Sequence, residues 1–216
     1  HRITPDLDQE RVLVSVECDG PGDHLEFAVR VFDGGTEVAS GRQGVGGVLE
    51  LEIPKPKLWS PDSPFLYDLR IDVFDGETVL DGIDSYFGMR KYSIGRDSQG
   101  VMRLLVNNQP LFQHGVLDQG YWPDGLYTAP SDEALQFDVA LTKKLGFNMN
   151  RKHIKVEPAR WYYHCDRLGV IVWQDMISGG SNVNITLNGI LPMVAPGLKI
   201  RDNKYQRVGR QEQSSR

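Results

Sequence analysis

Apolar residues alternate with polar ones from Arg11 to Ile94, and beyond Ser131 they recur every three to four residues between short apolar runs. The first pattern is that of half-buried strands, and the second is that of helices set between strands. Together they predict a chain of two domains: an immunoglobulin-like β-sandwich over residues 1–94, then a β/α unit with a parallel sheet over residues 95–216.

In the first domain Val12, Val14, Val16 and Cys18 share one face, followed by Leu25, Phe27, Val29 and Val31, by Leu49, Leu51 and Ile53, and by Tyr67, Leu69, Ile71 and Val73. Asp33-Gly34-Gly35 and Asp75-Gly76 separate such runs, and Asp-Gly adopts the positive φ angles of tight primed hairpins. About seven short strands in some 90 residues fit an antiparallel sandwich.

Past Tyr92 a short hairpin is expected, Met102 to Val106 and Leu111 to Gly115, turning at Asn107-Asn108. Ser131 then caps a helix, with Asp132 and Glu133 at the positive end of its dipole and Ala134, Phe137, Leu141 and Leu145 along its inward face. Phe147 to Lys152 reads as a strand. Pro158 opens a second helix with Trp161, Tyr162, Cys165 and Leu168 inward, Gly169 ends it, and Val170 to Gln174 follows as a strand. Right-handed crossovers make such a β-α-β-α-β order a parallel sheet, and ligands of these sheets sit at the carboxyl ends of the strands. The rim is therefore expected at Gly115 to Asp118, at Lys152 and His153, and at Asp175.

Composition narrows the function classes. A 40% hydrophobic and 25% charged chain is globular rather than disordered. Its longest apolar runs, such as Val170 to Trp173, fall far short of the roughly 20 residues of a membrane span. Residues 1–91 hold 9 basic and 18 acidic side chains, residues 92–198 hold 9 of each, and residues 199–216 hold 6 and 2. An acidic first domain argues against a nucleic-acid platform, which needs clustered Lys and Arg. Cys18 and Cys165 are too few for a disulfide framework and are expected as buried thiols. The chain starts at His1, so its first residues do not reveal a compartment.

Several phrases in these positions resemble glycoside hydrolase family 2, the β-galactosidase and β-glucuronidase group. Leu58-Trp59-Ser60-Pro61-Asp62-Ser63-Pro64, Leu66-Tyr67 and Phe87-Gly88-Met89-Arg90 are similar to that family's central sandwich. Asn148-Met149-Asn150-Arg151-Lys152-His153, Cys165-Asp166-Arg167-Leu168-Gly169 and Val170-Ile171-Val172-Trp173 are similar to its barrel. The resemblance implies that the second domain is the first three strands of a truncated TIM (β/α)8 barrel. Departures lie on the rim and bear on sugar choice: Asn107-Asn108 and His114-Gly115 replace Asn-Gly and Arg-Gly, a longer stretch runs from His153 to Pro158, and Gln174-Asp175 replaces Asp-Glu.

The resemblance also implies a retaining β-glycosidase acting on terminal galactosides, glucuronides or mannosides, with two glutamates about 5–5.5 Å apart. Only 41 residues follow Asp175, whereas five further βα units of about 30 residues would need on the order of 150. Both glutamates are therefore expected beyond residue 216, and this chain alone is expected to be inactive. Among the residues present, Arg151 and His153 are expected to line the sugar pocket, with Asp118 hydrogen-bonding hydroxyls, Trp122 stacking on a pyranose and Asp175 facing the ligand. Trp173 is expected in the barrel core, and Glu157 as a helix-start residue.

A metal site built from His114, His153, His164 and Asp175 is not favoured, because His164 lies within a helix and no His-x-His pair follows the first strand. No cofactor is expected, although a divalent cation near Asp175 occurs among relatives of the resembled family. An open strand edge predicts self-association or pairing with the remainder of a parent chain. The other function class is a non-catalytic sandwich that binds carbohydrate or protein.

Overall fold

The computed structural model describes residues 1–177 apart from residues 20, 21 and 23. The expected loop at 178–189, the basic run after Lys199 and Glu212 lie outside the described residues.

Seven strands form two facing antiparallel sheets. β1 (Arg2–Asp6), β2 (Arg11–Ser15) and β5 (Val48–Glu52) make one sheet, in the order β1-β2-β5. β3 (Glu26–Asp33), β4 (Thr36–Gly44), β6 (Tyr67–Asp75) and β7 (Thr78–Phe87) make the other, in the order β4-β3-β6-β7. Alternation puts Val12, Val14, Phe27, Val29, Val31, Leu69 and Ile71 between the sheets, all buried, with Tyr67 stacked on Phe87 at 5.2 Å. Asp33 pairs with Thr36, leaving Gly34 and Gly35 as a two-residue turn with φ of +56° and +87°. Both positions need the left-handed region, which glycine enters without penalty.

A small antiparallel sheet follows, β10-β9-β8, built from β8 (Tyr92–Arg96), β9 (Met102–Val106) and β10 (Gln109–Pro110). The turn falls at Asn107-Asn108, as the sequence predicts, and both residues have positive φ. The expected second arm, Leu111 to Gly115, does not form. The Asn148 side chain takes its place, accepting from His114 N at 2.8 Å and donating to Phe112 O at 2.9 Å.

The first parallel strand is consequently β11 (Gly115–Asp118), later than expected. It begins where Gly115 lies so close to β12 (Met149–Lys152) that a Cβ would fall 2.0 Å from Met149 O. β13 (Ile171–Gln174) completes the sheet β11-β12-β13, and α1 (Asp132–Lys144) and α2 (Ala159–Leu168) are its crossovers.

Ser131 caps α1 through its hydroxyl, which accepts from Ala134 N. The inward face of α1 is Leu135, Val139 and Thr142, not the expected row of Ala134, Phe137, Leu141 and Leu145. Phe137, Leu141 and Leu145 are exposed, and Leu141 and Leu145 line a groove of about 270 Å³ against β11. α1 carries two apolar rows, and the packed one faces α2, whose buried residues are Trp161, His164 and Cys165. Cys165 is buried as expected, and its burial pushes the thiol up. Cys18 is only half-buried, and both cysteines are free thiols.

The phrases that carry the family resemblance form the joint between sandwich and β/α unit. Trp59 is fully buried and donates through Nε1 to Asp166 O at 2.6 Å. Arg90 stacks on Trp59 at 4.4 Å and donates to Asp166 Oδ1 at 2.6 Å, and the Tyr86 hydroxyl reaches Asp166 Oδ2 at 3.2 Å. Lys143 Nζ donates to Pro61 O at 2.9 Å and Gly169 O at 3.2 Å.

Candidate functional site

The register of the parallel sheet sorts the rim into two faces, because successive residues of a strand point to opposite sides. Leu117, Arg151 and Trp173 share one rung, and Asp118, Lys152 and Gln174 share the next. The first rung points to the open side, where Leu117 is 54% and Trp173 44% exposed. Trp173, expected in a barrel core, stands exposed on this face among the described residues, and its indole N–H meets Gln113 Oε1. The second rung points toward the helices.

On the open side Arg151 grips Asp175 with two hydrogen bonds, Nε to Oδ1 and Nη2 to Oδ2, both 3.0 Å. This fork holds the Asp175 carboxyl below its usual range, with smaller help from nearby His153. The His153 backbone N–H donates to Asp118 O at 2.9 Å, and its Nδ1 lies 3.4 Å from the Gln119 amide. With that amide donating, neutral His153 carries its proton on Nε2. Arg151, His153 and Asp175 thus form one cluster at the strand ends.

Asp118 and Trp122 are placed elsewhere. The Asp118 carboxylate accepts from Lys152 Nζ at 2.8 Å and from Gly120 N at 2.8 Å, on the helix side. Trp122 packs against the cluster of Leu135, Val139 and Trp161, and its backbone exchanges both hydrogen bonds with Leu126.

Behind the rim lies a buried ionic network that the sequence does not reveal. Lys152 is 1% exposed; its Nζ reaches Glu157 Oε1 at 2.9 Å as well as Asp118, and it lies 4.3 Å from the centre of the Trp161 ring. Lys155 Nζ contacts Glu157 Oε1 at 3.0 Å, Gly120 O at 2.5 Å and Tyr127 O at 3.0 Å. Glu157, just ahead of the Pro158 cap of α2 where a helix-start residue was expected, is buried as the acceptor between two lysines. Two cations and two anions balance, and burial is tolerated because each has a partner. Partial desolvation raises the pKa of nearby Asp138, and the negative charge of Asp118 adds to the effect. The one local signal was an unusual density of charge in the short stretch from Lys152 to Glu157, ahead of Pro158.

Among the described residues no three His, Cys, Asp or Glu side chains converge as a metal site. The His114 ring lies tilted against Phe147 with centres 4.7 Å apart, and His164 Nε2 lies 2.9 Å from Asp132 Oδ1. Asp175 has one hydrogen bond from Arg151 on each of its oxygens. No helix among the described residues is long and apolar enough to cross a membrane.

A sandwich is thus joined to a three-stranded parallel β/α sheet, with an Arg-carboxylate-His cluster at the strand ends, the place where ligands of such sheets bind. Residues 1–90 match the model of the family described as Glycosyl hydrolases family 2. A β-galactosidase of Leuconostoc mesenteroides is 27% identical over an alignment of 212 positions that covers 89% of this chain and 19% of that protein. A putative β-glucuronidase of Formosa agariphila is 26% identical over 82% of this chain and 17% of its own length. The crystal structure of a β-glycosidase from Bacteroides vulgatus superposes with a TM-score of 0.71 at 24% identity, over 86% of this chain and 24% of that one. β-Glucuronidase 3 of Bacteroides uniformis gives 0.68 at 23% identity, over 83% and 23%. These matches bear out the resemblance to glycoside hydrolase family 2 read from the sequence. The chain spans less than a fifth of the length of the curated relatives it matches.

Proposed function

We propose that this chain supplies the sandwich, over residues 1–94, and the opening three strands of a (β/α)8 barrel, from residue 95, in a retaining β-glycosidase for terminal β-galactosides, β-glucuronides or β-mannosides. The observation that supports this reading best is the Arg151–Asp175 fork beside His153, at the carboxyl ends of parallel strands and on the face left open. In a barrel that face is the interior, and ligands enter at the strand ends.

In the proposed chemistry one glutamate protonates the departing oxygen while a second attacks the anomeric carbon, and water then releases the sugar. Both glutamates lie beyond residue 216. The residues of this chain bind and orient. Arg151, pinned by Asp175, directs its remaining N–H groups to the reacting carboxylate or a sugar hydroxyl, and His153 donates from Nε2 to another hydroxyl. Asp118 acts from behind, fixing Lys152 and the turn at Gly120, while Trp122 anchors the loop. No metal is assigned a role in this reading. Later barrel strands, or a second copy of the chain, would cover Leu117 and Trp173.

Chromogenic β-galactoside, β-glucuronide and β-mannoside panels test the reading. The 216-residue chain should show no turnover, and the parent protein, carrying an Asn-Glu at a later strand end, should hydrolyse one class. Glutamate-dependent turnover by the chain alone would overturn it.

A further inference from the structure

The loop between β11 and α1 presents two aromatic rings outward from a rigid base. Tyr121 is 56% and Tyr127 61% exposed, their ring centres are 5.1 Å apart, and their hydroxyls are hydrogen-bonded at 3.0 Å. Underneath, the loop is held at every turn. Lys155 Nζ donates to Gly120 O at 2.5 Å and Tyr127 O at 3.0 Å, Trp122 N and Leu126 N exchange hydrogen bonds of 2.8 and 3.0 Å with each other's carbonyls, and Thr128 N donates to Gly125 O at 2.9 Å. Gly120 has no room for a side chain, since a Cβ would fall 2.2 Å from Glu157 Oε1. The buried ionic network therefore serves as the foundation of this aromatic pair.

We propose that Tyr121 and Tyr127 form a stacking subsite for a pyranose ring of the carbohydrate, in the loop whose Gln119 reaches His153; this rests on reading the cluster of Arg151, His153 and Asp175 as the sugar pocket. The occupant follows from chemistry. One face of an equatorially substituted pyranose is a patch of C–H bonds rimmed by hydroxyls, which suits an aromatic face with a polar edge. Within the tyrosine pair one hydroxyl donates to the other, leaving one phenolic proton and free lone pairs at the rim for sugar hydroxyls. The pair is in the loop after a parallel strand, and Gln119, two residues before Tyr121, touches His153. Rings held in place before binding lose little conformational freedom on it. Trp122, expected from sequence to stack on sugar, packs inward, and its neighbours on either side of the turn face outward.

Saturation-transfer NMR on the full 216-residue chain, with lactose and cellobiose as probes, tests this. Both end in glucose, so the platform should saturate the protons on one face of that ring in both sugars. Tyr121→Ala/Tyr127→Ala should lower that signal at least tenfold. Tyr121→Phe/Tyr127→Phe, which keeps the rings, should retain most of it, and circular dichroism should show all variants folded. Arg151→Ala should lower the signal of the non-reducing ring and leave that of the glucose ring. If Arg151→Ala changes neither ring while the tyrosine effect persists, the pocket reading fails and the platform stands. An unchanged glucose signal in the double alanine variant, or no glucose signal in the native chain, overturns the platform.

Discussion

The sandwich and the β/α unit bury their sheets in opposite ways. Between the sandwich sheets both inner faces are apolar and closed, with Val12, Val14, Phe27, Val29 and Val31 inaccessible to solvent. The parallel sheet has one face covered by helices and fitted with charge, in Asp118, Lys152, Lys155 and Glu157, while the other stands open with Leu117, Arg151 and Trp173. A core that only holds shape is built from hydrocarbon, whose burial is favourable in any orientation. A core that must aim loops uses ion pairs, which stabilise one geometry and penalise others.

The largest test of this contrast is Lys152→Met. It leaves Asp118 and Glu157 buried with one lysine between them and should cost about 3–5 kcal/mol. Lys152→Met/Asp118→Asn restores neutrality and should recover more than half, as read by urea denaturation. Recovery would mark the deficit as uncompensated charge; no recovery would mark it as packing.

Arg90→Ala should cost about 1.5–3 kcal/mol, the range for hydrogen bonds to charged groups. It should also split one thermal transition into two, because the joint at Asp166 is lost while both cores remain. A single sharp transition by calorimetry would show that the two regions are coupled elsewhere.

Smaller still is the effect of Trp173→Gln. On the open face it should change stability by no more than about 0.5 kcal/mol, yet lower dye binding and any self-association seen by size exclusion. The equivalent polar change within the sandwich, at Phe27, should prevent folding.

The smallest effect concerns Asp175. Arg151 lowers its carboxyl below 3.8 in the folded chain. The pair therefore contributes stability above the unfolded value, and that contribution is lost as pH falls through the folded one. Asp175→Asn should slightly flatten the acid limb of melting temperature against pH below about pH 4, with no change at neutral pH in the shape of the sandwich transition.

The sandwich was legible where one rule, alternation, governs the strand, as in β2, β3, β5 and β6, whereas largely exposed β4 carries no such apolar row. The β/α unit was legible in order but not in detail. Two apolar rows on α1 competed, and sequence alone could not say that α2 would take the row of Leu135 and Val139. The rim divided similarly: Arg151, His153 and Asp175 meet as their strand-end positions suggested, whereas Asp118 turns away because it lies one residue past Leu117. The ionic network joins residues 118, 152, 155 and 157 across two strands and a loop, and nothing local in a sequence encodes such a meeting.

Gly169 ends α2 in the left-handed region, and a Cβ there would fall 2.3 Å from Pro61 O, across the joint. The same atom-sized vacancy thus stops a helix and seats a neighbouring domain. Adding one methyl group would wedge the two apart like a pebble in a hinge, tilting the strand ends away from whatever the sandwich steadies on its far side.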